Sequence, residues 1–465
     1  MVDSDQAGPA GAGAGRGTAL LTARTGVGAP AGRPRRAGLR STPPRRLWTT
    51  GSLLALLAVL FGALTVVQVV QRSDAATSVV THSQPLSDDA AQIFHSLADA
   101  DTTAATGFLQ AGGETTAVKK QYTDDIATAS TLLAQAAAST AADDPGQKQI
   151  QQLNAQLPVY TGLVETARAD DKQGLPLGGA YLRFASGQLQ DTMLVEAQAL
   201  YTAETARLHQ DYADAQSLPW SAIGLGLVTL AALVRAQIRL FRRTNRVFNL
   251  GLVAATGATA IALIWLTTAQ SLAGSDLRAS DSRGAAPLQV LNQARIKALQ
   301  CRGAENLNLV ARGSTDTYET DWSTTSKQLA GAGGLLSSAQ SMTSADPSAQ
   351  DQIKVAAASF STWQQRHDVA KSKNDAGDYT DAVTATIGRV SGNTVVDSGT
   401  TTSAAFSTLD ASLTGAISQE RANFRSLAAD GRNDTALLAE GAGVLALVAA
   451  AGALFGISRR TAEYR

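Results

Sequence analysis

Hydrophobic positions fall into two regimes along the chain. Four stretches, 50–70, 218–240, 247–268 and 435–458, are apolar over about the 20 residues that a helix needs to cross a bilayer. Glu440 interrupts the last near one end, and Arg235 and Arg239 close the second. Between these stretches, apolar residues recur three and four apart, the period of helices with one buried stripe. The series Ile150, Leu153, Leu157, Tyr160, Val164, Ala167 is one such seam. Its counterpart, Ile353, Ala356, Phe360, Trp363, His367, Ala370, lies at a constant offset of 203 residues.

That correspondence extends to both sides. Asp144-Pro145-Gly146 opens the first seam and Asp346-Pro347 the second, with one residue inserted, and Gly174 matches Gly377. Upstream, Phe108–Gly113 aligns with Asn308–Gly313 and Tyr122 with Trp322, at an offset of 200. Self-similarity at a fixed spacing reads as internal duplication. Turn residues predict helix breaks near 112, 144 and 175, and near 313, 345 and 376, with Pro145 and Pro347 in first helical turns. The aromatic residues Tyr122, Tyr160, Trp322 and Trp363 are expected in the core. The expected fold is all-α: an integral membrane protein with four transmembrane helices and two duplicated four-helix-bundle-like domains, 71–217 and 269–434. Ala58-x-x-x-Gly62 and Gly452-x-x-x-Gly456 are small-residue motifs that let membrane helices approach closely.

Charge sets the orientation. The 39 acidic and 39 basic residues cancel, but they are segregated. A leader, 1–49, rich in Gly, Ala and Pro, carries Arg16, Arg24, Arg33, Arg35, Arg36, Arg40, Arg45 and Arg46. Its composition cannot bury a core, so it is expected to be disordered. A leader of this length before a full-length apolar stretch reads as an uncleaved anchor in preference to a signal peptide. The short link 241–246 carries Arg242, Arg243 and Arg246, and the tail 459–465 carries Arg459, Arg460 and Arg465. By the positive-inside rule these three segments are cytoplasmic, which makes a multi-pass cell-membrane protein with both termini inside. The two helical domains then lie outside. Arg-rich, Ala-rich composition further suggests a high-GC bacterium of actinobacterial type.

Candidate chemistry is sparse. The single Cys301 excludes an internal disulfide framework, and the four histidines show no metal-ligand spacing. No nucleophile triad, carboxylate pair or phosphate-binding loop stands in a credible context, so no catalysis, cofactor or metal is expected, and no nucleic-acid partner. Ionisable groups are missing from the middle of the spans, which argues against a proton- or ion-driven transporter. Arg235, Arg239, Arg242 and Arg246 fall at i, i+4, i+7 and i+11, one face if the second span continues as a helix, with Arg243 beside them. Such a stripe can dock an acidic cytosolic partner; the plainer alternative is that it fixes topology and reaches anionic headgroups. Arg295 and Arg302 stand one heptad apart and are candidates for contact with a ligand or partner carboxylate, although solvent exposure or an internal ion pair explains them as well. His367 occupies the slot that Val164 holds in the first repeat. A half-buried, satisfied histidine there is set against a pH sensor.

Two stretches carry a resemblance. Arg242-Arg243-Thr244-Asn245-Arg246-Val247-Phe248-Asn249-Leu250-Gly251-Leu252-Val253 is one. Ala304-Glu305-Asn306-Leu307-Asn308-Leu309-Val310-Ala311-Arg312-Gly313, followed by Tyr318-Glu319-Thr320-Asp321-Trp322, is the other. Both resemble the GlnX-type membrane proteins of actinobacteria, and the span–bundle–span arrangement resembles bacterial chemoreceptor and histidine-kinase ectodomains. The resemblance implies a non-enzymatic relay that takes amino-acid availability from an extracytoplasmic solute-binding protein, a glutamine/glutamate-binding lipoprotein in that family, to a cytosolic Ser/Thr protein kinase. A homodimer is compatible with such bundles, although the duplication already supplies a pseudo-dimer. The alternatives are an envelope scaffold protein and an accessory transporter subunit.

Overall fold

The computed structural model describes residues 43–111, 113–140, 144–244, 249–312, 315–343, 345–396, 398–433 and 438–462. Leader residues 1–42, Arg246 and Arg465 lie outside the described residues, as do the side chains of Arg45, Arg46, Arg243, Arg459 and Arg460.

The first half runs α1 (Pro43–Ser78), a π-helical turn (Val79–Ser83), α2 (Gln84–Leu109), α3 (Thr116–Ser139), α4 (Gln147–Lys172), α5 (Leu177–Gln188), a second π-helical turn (Leu189–Met193), α6 (Leu194–Gln216) and α7 (Trp220–Thr244). The second half runs α8 (Leu250–Ser280), a π-helical turn (Asp281–Ala285), α9 (Ala286–Ala311), α10 (Thr317–Ala330), α11 (Leu335–Met342), α12 (Pro347–Asp375) and α13 (Tyr379–Ile387). It ends with β1 (Arg389–Ser391), β2 (Thr394–Val396), a 3₁₀ turn (Ser398–Thr400), α14 (Thr402–Asn433) and α15 (Leu438–Ala462). The described residues are therefore all-α apart from one small hairpin.

Among the described residues, three helices are long and apolar enough to cross a membrane. Two are 62-residue rods, Trp48–Leu109 and Leu250–Ala311, each about 90 Å long at 1.5 Å per residue. Each rod contains a π turn followed by a proline, Pro85 or Pro287, at the start of the next segment. A proline inside a helix lacks the N–H for the bond four residues back, and its ring crowds that carbonyl. The widened turn absorbs both problems, so the rod continues. The third helix, Leu177–Arg242, is interrupted at 217–219, where Pro219 precedes α7. Arg72 Nε donates to the Ser217 carbonyl there at 2.6 Å.

The apolar parts of α1, α7, α8 and α15 form one bundle with a core made mostly of alanines, among them Ala58, Ala255 and Ala453, together with Leu54, Leu233 and Leu252. α15 packs between α1 and α8, and its apolar stretch is Gly443–Gly456. Here the small-residue motifs make close contacts. A Cβ on Gly251 would lie 2.5 Å from the Gly452 carbonyl and from Gly456, and one on Gly62 would collide with Ala446. Asn249 Nδ2 donates to the Gly456 carbonyl at 2.6 Å. On the outside of this bundle, Leu53, Leu56, Leu60, Leu227, Val228, Ile261, Ile264, Leu447 and Phe455 are exposed. A belt of large apolar side chains on all four helices is compatible with a lipid surround. Glu440 is exposed in the first turn of α15.

The remaining helices make a polar-surfaced bundle with one continuous core. Two separate bundles were the expectation for 71–217 and 269–434; instead α2 packs along α9, and residues of both halves share that core. The reason is compositional. α2 is rich in Ala, Ser and Thr, α9 carries Ala and Gly among its leucines, and both are buried along most of their length, so each packs its own half on one side and its counterpart on the other. Asn306 fastens the seam by donating to the Thr102 carbonyl at 3.1 Å and to Thr106 Oγ1 at 3.0 Å.

Helix breaks fall where turn residues predict them, with differences of detail. Asp346 caps α12 by accepting from the Ser348 and Ala349 amides, and Pro347 is the first helical residue. Pro145 instead precedes α4, which begins at Gln147, because Asp144 holds the Gly146 amide at 2.9 Å in a turn. A further break separates α10 from α11 at the glycine-rich 331–334. The β1–β2 hairpin has no equivalent among the described residues of the first half, and its Asn393 Oδ1 accepts from the Thr116 amide at 2.8 Å.

Candidate functional site

Each half builds a buried polar node where its central helix meets the apolar seam. In the first half, Asp101 on α2 accepts from Ser186 Oγ at 2.5 Å, Tyr160 Oη at 3.3 Å and Gln190 Nε2 at 3.3 Å. Among the described residues no cation pairs with it, and burial pushes its carboxyl up despite the three donors.

In the second half the node is ionic. Glu305 on α9 accepts from Arg302 Nη1 at 2.5 Å, Trp363 Nε1 at 3.1 Å and Thr402 Oγ1 at 3.0 Å, and lies 2.9 Å from His367 Nδ1. His367 stacks on Trp322 with ring centroids 3.7 Å apart, and its Nε2 is 3.5 Å from Glu319. Burial acts against charge on both partners of the Glu305–His367 pair. The carboxylates of Glu305 and Glu319, which accept from the imidazole, prevail and raise His367 to about 9, while His367, Arg302 and the Trp363 N–H lower Glu305. His367 is thus a charged core residue at neutral pH.

A cleft of about 420 Å³ opens between the halves beside the first node. Phe94, Leu194 and Leu299 form its apolar wall; Asp101, Gln190, Asp191, Gln198, Gln300 and Asp321 bring polar groups to it. Its residues come from α2, the π turn Leu189–Met193, α6, α9 and α10. The π turn sets Gln190 and Asp191 on the cleft wall, in keeping with the frequency of such bulges at functional sites. Asp321 is raised, first by burial and then by Asp191 across the cleft. Like charges from the two halves thus face each other, so the charge state of this cleft bears on how closely the halves pack.

The arginines singled out in the sequence separate into two groups. Arg235, Arg239 and Arg242 are exposed along α7, which continues as a helix to Thr244. Arg295 pairs with Asp410 through Nε at 2.6 Å and Nη2 at 3.1 Å. Arg302 is buried against Glu305. Both therefore hold the fold together, and neither lines the cleft. Asp101, Asp191, Asp321 and Gln190 were not singled out in the sequence. No spacing marks Asp101 or Glu305, because each sits in a helix that is buried on most faces and so shows no single apolar stripe. Among the described residues no group of His, Cys, Asp or Glu side chains is arranged to hold a metal ion. Cys301 is a free, buried thiol pushed up by burial.

Residues 75–213 match the actinobacterial sensor domain family. No curated protein and no solved structure matches the chain. The matched segment runs from the end of α1 into α6 and includes the Asp101 node and the first-half wall of the cleft. This likeness supports a sensor protein of an actinobacterium, with a sensing or signalling role.

Proposed function

We propose that the chain is a four-span, non-enzymatic transmembrane relay. Its polar bundle lies outside the cell and responds to amino-acid availability through a solute-binding protein, and the exposed arginines at the end of α7 present the response to a cytosolic kinase or adaptor. The observation that carries the reading is the continuity of the two 62-residue rods, which run from the apolar bundle to the far end of the polar one. A shift of α2 against α9 has no flexible joint in which to dissipate before the apolar bundle. By contrast α6 and α7 meet at the break 217–219, where Arg72 bonds to the Ser217 carbonyl and Gln68 accepts from the Ala222 amide, so movement of the first rod is passed to the start of α7. Signal transfer would then be a choice between two packings of rigid elements, biased by occupancy of the polar bundle.

The lipid-compatible belt, the sensor-domain match and the resemblance to GlnX-type proteins support this reading; the last is its only support for the kinase and the amino acid. The duplication and the fourth span, α15, are part of the proposal. Its test is a set of charge-neutralising substitutions, Arg235→Gln, Arg239→Gln, Arg242→Gln and Arg246→Gln together. The expected outcome is normal insertion with loss of glutamate- or glutamine-dependent phosphorylation by the cytosolic kinase. An unchanged phosphorylation response removes the docking role of the stripe.

A further inference from the structure

A second cleft, of about 460 Å³, lies at the end of the polar bundle farthest from the apolar helices, where the rods terminate. Arg183 of α5 reaches it from the first half and Arg312 from the second. Neither forms an ion pair with a carboxylate among the described residues. Arg183 Nη1 approaches the Val310 carbonyl at 3.5 Å, the limit of a hydrogen bond, so most of its five donors have no protein partner among the described residues. Arg312 lies over the Tyr379 ring, 4.6 Å from its centroid.

Arg312 is also the only non-glycine residue of positive φ among the described ones, at φ 50° as the C-cap of α9. Glycine or asparagine fills such positions at smaller steric cost. A strained arginine in a cleft calls for a reason beyond ending a helix. Neutralising the end of α9 is the simplest alternative, but a helix C-terminus carries only about half a negative charge against two full positive ones. The first turn of α5 lines the same cleft and contains no acidic residue, so its positive end adds to the field. Asp171 is the one carboxylate that borders the cleft among the described residues.

We propose that this cleft binds a small oxyanion, a carboxylate or a phosphate, held between Arg183 and Arg312. A ligand gripped by one guanidinium from each half would draw α5 of the first half towards Arg312 at the end of the second rod. The site thus supplies an input for the relay proposed above; that consequence rests on the sensor reading, whereas the binding itself does not.

The test is isothermal titration of the full-length protein in nanodiscs with succinate and, separately, with inorganic phosphate, at constant ionic strength with chloride as the control anion. Saturable binding of either anion is expected, and comparison of the two identifies the preferred headgroup. Arg183→Gln or Arg312→Asn should weaken it about tenfold or more, as loss of a charged hydrogen bond does. Asparagine tolerates the left-handed conformation at 312, and circular dichroism checks that helix content is kept. Heats no different from chloride for both anions, or affinity unchanged in the double variant, overturn the proposal. Because binding is read on the protein itself, a chain that binds but fails to signal counts against the relay alone, and one that signals without binding counts against this site alone.

Discussion

The Asp101 and Glu305 nodes occupy related places in the two halves but solve the burial of a carboxyl group differently. Asp101 has only neutral donors, Ser186, Tyr160 and Gln190, and borders an open cleft. Glu305 is enclosed by two cationic groups, a Trp N–H and a threonine hydroxyl. A buried ion pair holds its geometry because losing one partner strands the other charge. A neutral network beside a cleft can exchange a donor for water or ligand at lower cost. The difference suggests a division of labour, with the second half as frame and the first as the responsive element, and it is the first half that matches the sensor-domain family.

The largest expected effect comes from Glu305→Ala, which strands Arg302 and His367 in the core. Thermal or denaturant unfolding should show a loss of about 3–5 kcal/mol. Asp101→Asn, at the neutral node, should cost about 1–2 kcal/mol, since an amide keeps most of the contacts there. Equal losses would remove the distinction between the two halves.

A smaller effect sharpens the same contrast. His367→Val installs the residue type that Val164 supplies in the first half. The raised imidazole, at about 9, stabilises the fold fully below its ordinary value of 6.5, and that contribution disappears as pH rises through about 9. Wild-type stability should therefore fall between pH 6.5 and 9, and the variant should lose that slope. The lowered Glu305 contributes in the opposite sense, above its ordinary range, and is lost on acidification. A variant that retains the full alkaline slope would show that another group controls it.

Much of the helical framework can be read from spacing. The 3-4 seam places Tyr160 and Trp363 in the core, and both are fully buried; the same holds for Tyr122 and Trp322 at a few per cent exposure. The arginines of α7 are visible because a polar stripe on a helix keeps its period. The two nodes are not, since α2 and α9 are buried on most faces and their alanines blur any apolar stripe. Nor are the clefts, whose walls join residues such as Arg183 and Arg312 that only the packing of one half on the other brings together. The hairpin did leave a trace, Val390-Ser391-Gly392-Asn393-Thr394-Val395, with a two-residue Gly-Asn turn between alternating positions. The paired prolines Pro85 and Pro287 mark two of the three π turns, those of the long rods, in the same retrospective way.

The account depends most on where the two bundles lie relative to the bilayer. Single cysteines at Val159, Val355 and Arg239, all exposed positions, can be placed in a Cys301→Ala background, which removes the one native thiol. A membrane-impermeant maleimide added to intact cells should label 159 and 355 and leave 239 unlabelled until the cells are opened. Labelling of 239 in intact cells, with 159 and 355 protected, would contradict the relay at its foundation.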